Sequence, residues 1–324
     1  MKTLLVSFAL FAGLALLNGT ASSQKIFDVH LHGSKNPSSQ VLTLQKAGVY
    51  KAAISTSWAL QNRYRNIPNV HFLYGLMFPC PNGKVPYSLQ ACFATGEDWP
   101  PVGWVEQQIK DGRIDFFGEV LNQYYGISSS DAALFPYYSL AQKYKLPVGI
   151  HTGGAGPDHG SPNFKMEMGS PLLLKPLFAR FPELKIWIMH SGDQYYRETI
   201  GIMKENALVY TDISVISNPD IVPAEKFRTI MKAFIEAGLE DRLMFGTDNG
   251  DITKVIRSVE SLDFLSEGQK TKLYYRNAER FFGNAEAAKE PGTETVHSNH
   301  NGEQPPVSDQ NSVHSFKEII PYLR

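Results

Sequence analysis

Cysteine is almost missing from this chain: 324 residues contain two, Cys80 and Cys92. That scarcity excludes a disulfide-dense scaffold, and with no second cysteine or histidine pair at finger spacing it excludes a zinc finger. A bridge across the intervening loop is the favoured reading of the pair. Two separate buried thiols remain the alternative, because spacing does not reveal whether the Cα atoms come within reach. An excess of either charge is missing too, with 31 basic against 32 acidic residues and a formal net charge of -1. This balance removes the electrostatic case for nucleic acid or an anionic membrane as partner. A small-molecule substrate is the expected partner, and oligomeric state stays open. The apolar run Leu4 to Leu17 falls short of the roughly 20 residues that span a bilayer.

That run follows Lys2 and precedes small residues, Ala21 and Ser23, at the positions a signal peptidase requires. Residues 1–23 are therefore expected to be a cleaved secretory leader and the protein to be exported, periplasmic or secreted, with no stable membrane association afterwards. No cysteine lies near the cleavage region, which argues against a lipid anchor there.

From residue 24 to 284, short apolar runs alternate with segments of helical period. The strand candidates are Lys25 to His32, Lys51 to Ser55, Val70 to Met77, Asp115 to Val120, Leu146 to His151, Lys185 to His190, Ala207 to Ser214 and Arg242 to Asp248. Each is near-continuously apolar, as a strand buried on both faces should be. Helices are expected over Asp131 to Lys145, Pro171 to Phe181 and Phe227 to Gly238. Eight βα units predict an α/β fold closed as a (β/α)8 TIM barrel, which needs roughly 250 residues. Residues 285–313 are polar with almost no large apolar side chain. They are expected to form a disordered linker before a short C-terminal segment, 314–324.

The chemistry gathers at strand ends. His30 and His32 are two apart in one strand, so both imidazoles face one side. His151, His190 and Asp248 each close a predicted strand, and Glu119 lies near the end of another. Active sites of such barrels sit at those ends. His71 starts a strand, away from that face, and is read as structural. His297 and His300 fall in the polar tail and are read as solvated. His159, Trp58 and Arg197 follow strand ends and are the candidate substrate contacts. Met77, Tyr124 and Tyr125 could line a pocket or pack on helices. Asp193 could touch substrate or decorate a helix.

The series HLH, GEV, GIHTGG, IMHSG and GTDNG, in that order, resembles the amidohydrolase superfamily, in particular its amidohydrolase-related branch. RNAERFFG (Arg276 to Gly283) resembles that branch's closing segment, and the likeness runs from Phe27 to Gly283. It implies one or two divalent metal ions, zinc first and manganese or another ion as alternatives. His30, His32 and Asp248 would hold the metal, with His151 and His190 as further ligands. In single-metal relatives the residue matching His190 faces water or substrate, so His190 is also a catalytic candidate. Glu119 resembles the bridging carboxylate of two-metal relatives; a structural carboxylate is the other reading. The implied reaction is hydrolysis of a small organic substrate by metal-activated water, with Asp248 as proton shuttle. Alternatives are non-oxidative decarboxylation, phosphoester hydrolysis, for which no phosphate loop or basic cluster is present, and a non-catalytic metal-holding protein.

Overall fold

The computed structural model describes residues 24–154 and 158–283. The leader at 1–23, the linker at 285–313 and the segment at 314–324 lie outside the described residues, as do His297 and His300. Eight parallel strands follow one another around the sheet in sequence order. They are β1 (Ile26–His32), β2 (Val49–Ser55), β3 (His71–Phe78), β4 (Phe116–Val120), β5 (Val148–Ile150), β6 (Ile186–Ile188), β7 (Val209–Asp212) and β8 (Leu243–Met244). The last strand is tied to the first where Val29 N donates to Phe245 O at 2.9 Å and Asp248 N to His30 O at 2.8 Å. This is the nearly closed barrel that the alternation of strands and helices predicts.

β5, β6 and β8 stop short of their predicted ends, leaving His151, His190 and Asp248 one to four residues beyond the ladder. The backbone there leaves β geometry: His190, Ser191, Asp248 and Asn249 have φ of 59, 53, 48 and 57°. Left-handed conformations at non-glycine residues cost on the order of 1–3 kcal/mol each and cluster at functional sites. The expected helices begin as 3₁₀ turns before settling into α geometry, at Ala132–Leu134 then Phe135–Tyr144, and at Pro171–Leu174 then Lys175–Arg180. The third runs over Ala224–Glu236.

Two apolar layers hold the barrel. One lies between strands and helices; Phe227, Ile230, Met231 and Phe234 of one helix bury a single stripe into it. The other draws Phe27, Ala53, Leu73, Phe116, Trp187, Tyr210 and Met244 from seven strands and so fills the ring itself. Phe281 and Phe282 seal its lower end: Phe282 packs 5.3 Å from Phe27 and 5.4 Å from Trp187, Phe281 4.8 Å from Tyr210. The closing RNAERFFG segment thus acts as a plug, and the polar residues are left to the opposite mouth.

Candidate metal centre

At that mouth the ends of four strands bring His30, His32, Glu119, His151 and His190 together, all buried, with Asp248 beside them. Each imidazole is turned by an acceptor on its Nδ1. The Nδ1 of His30 donates to Asp212 Oδ2 at 3.1 Å. That of His32 donates to the carbonyl of Ser55 on β2 at 2.8 Å. His151 Nδ1 meets Gln123 Oε1 at 2.7 Å. Gln123 uses its amide nitrogen on the carbonyls of Gly153 and Met166, so its oxygen must accept. His190 Nδ1 meets Ser214 Oγ at 2.9 Å, and that hydroxyl gives its own proton to Asp212 Oδ1 at 2.5 Å. With every Nδ1 so engaged, all four Nε2 atoms face one space.

Glu119 occupies the middle of that space. Its Oε1 lies 3.9, 3.8 and 3.8 Å from Nε2 of His30, His151 and His190, and its Oε2 lies 3.6 Å from His32 Nε2. These gaps are too long for hydrogen bonds. They suit ligands about 2.1 Å from a shared ion, which lie about 3.4 Å apart in tetrahedral geometry. Two triads, His30–His32–Glu119 and Glu119–His151–His190, each place their donor atoms within 4.8 Å of one another and share the one carboxylate. A third joins His30, His190 and Asp248. The Nε2 of His30 is fully buried and has no hydrogen-bond partner, an orphan that a cation would satisfy. The residues present therefore fit a divalent metal.

Electrostatics agree. Burial alone would lower the pKa of His30, but Asp212, with Asp248 and Glu119, raises it to about 10. Burial opposes ionisation of Asp212 and Glu119, yet the neighbouring imidazoles hold both at about 2. Asp248 is held well below the usual carboxylate range by His30 and His32 against the same opposition from burial. Three ionised carboxylates among imidazoles call for positive charge. Burial pushes His151 down to about 4, so that ring is neutral near pH 7.

Above the cluster opens a cavity of about 630 Å³. Tyr87, Tyr124 and His159 give it an aromatic side, Val215 and Ile221 an aliphatic one, and Lys35 a cation at the rim. His159 thus lines the cavity as the sequence suggested, 6.1 Å from the Tyr87 ring and 5.9 Å from the Tyr124 ring. Trp58 and Arg197 do not, which corrects their reading as substrate contacts. The backbone N of Trp58 donates to Cys92 O, and its ring stacks edge-on 4.9 Å from Trp104 in a separate apolar recess with Phe93, Pro100 and Pro101. Arg197 is exposed on the helix Tyr196–Glu205 and lies over the Tyr196 ring. Both lie in the first turn of a helix. Asp193 pairs with Lys226 at 2.9 Å, Tyr125 bonds to Asp98, and His71 is exposed at the far end of β3.

Sequence reasoning missed Asp212, Ser214, Gln123 and Tyr87. Asp212 ends β7, so the strand-end criterion that selected the histidines would have found it. Ser214 follows two residues on. Nothing local marks Gln123 or Tyr87.

Packing at the glycine of the GTD motif is tight: a Cβ on Gly246 would meet the Cβ atoms of His30 and Ser214 at 3.0 and 3.3 Å.

Among solved structures, an uncharacterised TIM-barrel protein of Bordetella bronchiseptica shares the fold at 17% identity and a TM-score of 0.56, over 81% of this chain and 99% of that one. A probable 2-pyrone-4,6-dicarboxylic acid hydrolase of Acinetobacter baumannii does so at 12% and 0.55, over 80% and 99%. A 2,6-dihydroxybenzoate decarboxylase of Rhizobium does so at 13% and 0.54, over 81% and 99%. No curated protein sequence matches the chain. The family described as amidohydrolase matches residues 111–283, more than half of the chain and all of it from the approach to β4 to the aromatic plug. By that match, on a barrel whose polar mouth gathers imidazoles and carboxylates, the chain belongs to the amidohydrolase family.

Proposed function

We propose that this protein is a metal-dependent hydrolase of small organic substrates, with His30, His32, Glu119, His151, His190 and Asp248 as its metal site. The observation that carries the reading is the common orientation of the four imidazoles, each held by an Nδ1 acceptor with Nε2 inward. Glu119 belongs to two of the triads, so it would be the residue common to the two ions if both were held. Imidazole and carboxylate donors suit zinc first, and manganese also. Such an ion, when bound, lowers the pKa of water towards about 7 and polarises a substrate oxygen.

The chain's own groups do the rest. Asp248 is ionised, its side chain is 23% exposed to the cavity, and its Oδ1 lies 2.9 Å from His32 Nε2. It takes the proton of the attacking water and returns it to the leaving group. His190, fixed by Ser214, faces the same space and orients water or substrate from the other side. The aromatic side of the cavity, with Tyr87, Tyr124 and His159, favours a planar substrate.

That aromatic side also favours a second reading, decarboxylation of an aromatic acid, the activity named for one similar fold. Export is part of the proposal. It rests on the leader, and the disulfide between Cys80 and Cys92 supports an oxidising compartment.

Metal content per chain, measured by elemental mass spectrometry on the mature protein, tests the reading alongside turnover of lactones, esters, amides and aromatic acids. About two ions with hydrolytic turnover is the expected result. About one ion with loss of carbon dioxide from an aromatic acid selects the second reading. No metal after incubation with zinc or manganese overturns both and leaves a binding protein without this centre.

A further inference from the structure

One connection segment reaches back into the metal centre. After β3 the chain forms a tongue, residues 80–92, whose base is closed by the Cys80–Cys92 disulfide, with Cα atoms 6.4 Å apart. Cys92 N donates to Gly83 O, Val85 N to Gln90 O and Leu89 N to Val85 O, each at 2.8–2.9 Å, so the tip is a tight turn on a narrow stem. Non-glycine left-handed residues fall at Asn82 near the base and Leu89 in the turn. Gly83 admits no side chain, because a Cβ would sit 2.0 Å from Gly96 O. Hydrogen bonds tie the tongue to its neighbours beside the disulfide: Ser57 Oγ donates to Gln90 Oε1 at 2.9 Å, Gly83 N to Asp98 Oδ1 at 2.7 Å and Trp58 N to Cys92 O at 3.0 Å.

Tyr87 sits at that tip. Its ring packs on the imidazole of His32 with centroids 4.4 Å apart, and its hydroxyl oxygen lies 2.7 Å from His32 Nδ1. The same nitrogen donates to Ser55 O, which can only accept. The Nδ1 proton is therefore shared between two oxygens, and the Tyr87 hydroxyl acts as an acceptor there while its own proton points to Met77 Sδ at 3.3 Å. Two acceptors on Nδ1 make Nε2 a stronger donor and stop the ring from flipping. His32 is the one ligand histidine at the rim, its side chain 9% exposed against 4% or less for the other three, so it has most to gain from a cover.

We infer that Tyr87 is a positioning residue for His32, and that the disulfide-closed tongue is the part of the fold that holds it in place. Metal affinity then depends on the Cys80–Cys92 bond through one side chain, carried on the loop that this bond closes with a sequence separation of 12. The inference rests on the metal-centre reading proposed above.

Zinc affinity by titration calorimetry, with the visible spectrum of the cobalt-loaded protein as a second readout, tests it on the full mature chain. Four proteins are compared: wild type, Tyr87→Phe, a Cys80→Ala/Cys92→Ala double variant, and the triple variant. Alanine replaces reduction because free thiols would themselves bind zinc. Tyr87→Phe keeps the ring and removes one oxygen, and is expected to weaken binding about 10–100-fold and shift the cobalt bands. The cysteine variant is expected to lose a similar factor, and Tyr87→Phe added to it less than threefold more. Tyr87→Phe within twofold of wild type overturns the positioning role. A cysteine variant of wild-type affinity, or a triple variant losing the full factor twice, overturns the link through the tongue. Should the cysteine variants fail to fold, Tyr87→Phe alone decides the role of the tyrosine. A wild type that binds no zinc would instead defeat the metal-centre reading.

Discussion

Gln123 and His151 form a one-way pair: the amide oxygen accepts the Nδ1 proton at 2.7 Å because the amide nitrogen is committed to the carbonyls of Gly153 and Met166. Gln123→Met removes that acceptor and both donors at similar volume. Zinc affinity is expected to fall about 10–100-fold. Stability is expected to fall by about 1–3 kcal/mol, from the carbonyls left unpaired. Titration calorimetry and thermal unfolding of the metal-free protein separate the two effects. Unchanged affinity would remove His151 from the ligand set.

Asp248→Asn keeps the size and most of the hydrogen bonding at the cavity wall but cannot take up a proton. It is expected to retain the fold and most of the metal while turnover drops about 10²–10⁴-fold, the range for losing a positioned proton carrier. Circular dichroism, metal content and kcat on a confirmed substrate check this together. Near-normal kcat would mean that another group moves the proton.

Between the helices Val102–Lys110 and Phe135–Tyr144, Glu106 accepts from Lys143 Nζ and Tyr144 Oη, each at 2.7 Å. Those bonds hold its carboxyl at about 2, below its ordinary value of 4.5. A depressed folded value means stability that is present above the unfolded pKa and lost as pH falls towards the folded one. The melting temperature of wild type is therefore expected to exceed that of Glu106→Gln slightly near neutral pH, the pair being exposed. The gap should narrow between about pH 4.5 and 2. A gap independent of pH would assign the difference to packing.

The exported protein is expected to begin near Gln24 or Lys25. Intact-mass analysis of material recovered outside the cytoplasm shows this directly. A chain still carrying Met1 would rule out cleavage of the leader.

The sequence by itself determined the barrel and the ligand-type residues of its mouth, for a common physical reason. Strands buried on both faces must be continuously apolar, so His30, His32, Glu119, His151 and His190 stand out as polar residues that end such runs. Period two puts His30 and His32 on one face without any tertiary information. The aromatic pair Phe281–Phe282 was legible as a closing motif, although its role as the lower plug was not. Only the tertiary structure decided how the ligands are aimed. The acceptors that turn them come from far along the chain: Asp212 is 182 residues from His30, Ser55 is 23 from His32, and Tyr87 is 55 from His32. Loop segments such as the tongue have no periodicity to read, and the contacts of Trp58 with Trp104 and of Arg197 with Tyr196 come only with the folded chain. Strand periodicity is a local property of the backbone and survives in the sequence. The protonation and aim of an imidazole depend on what the folded chain places against its other nitrogen.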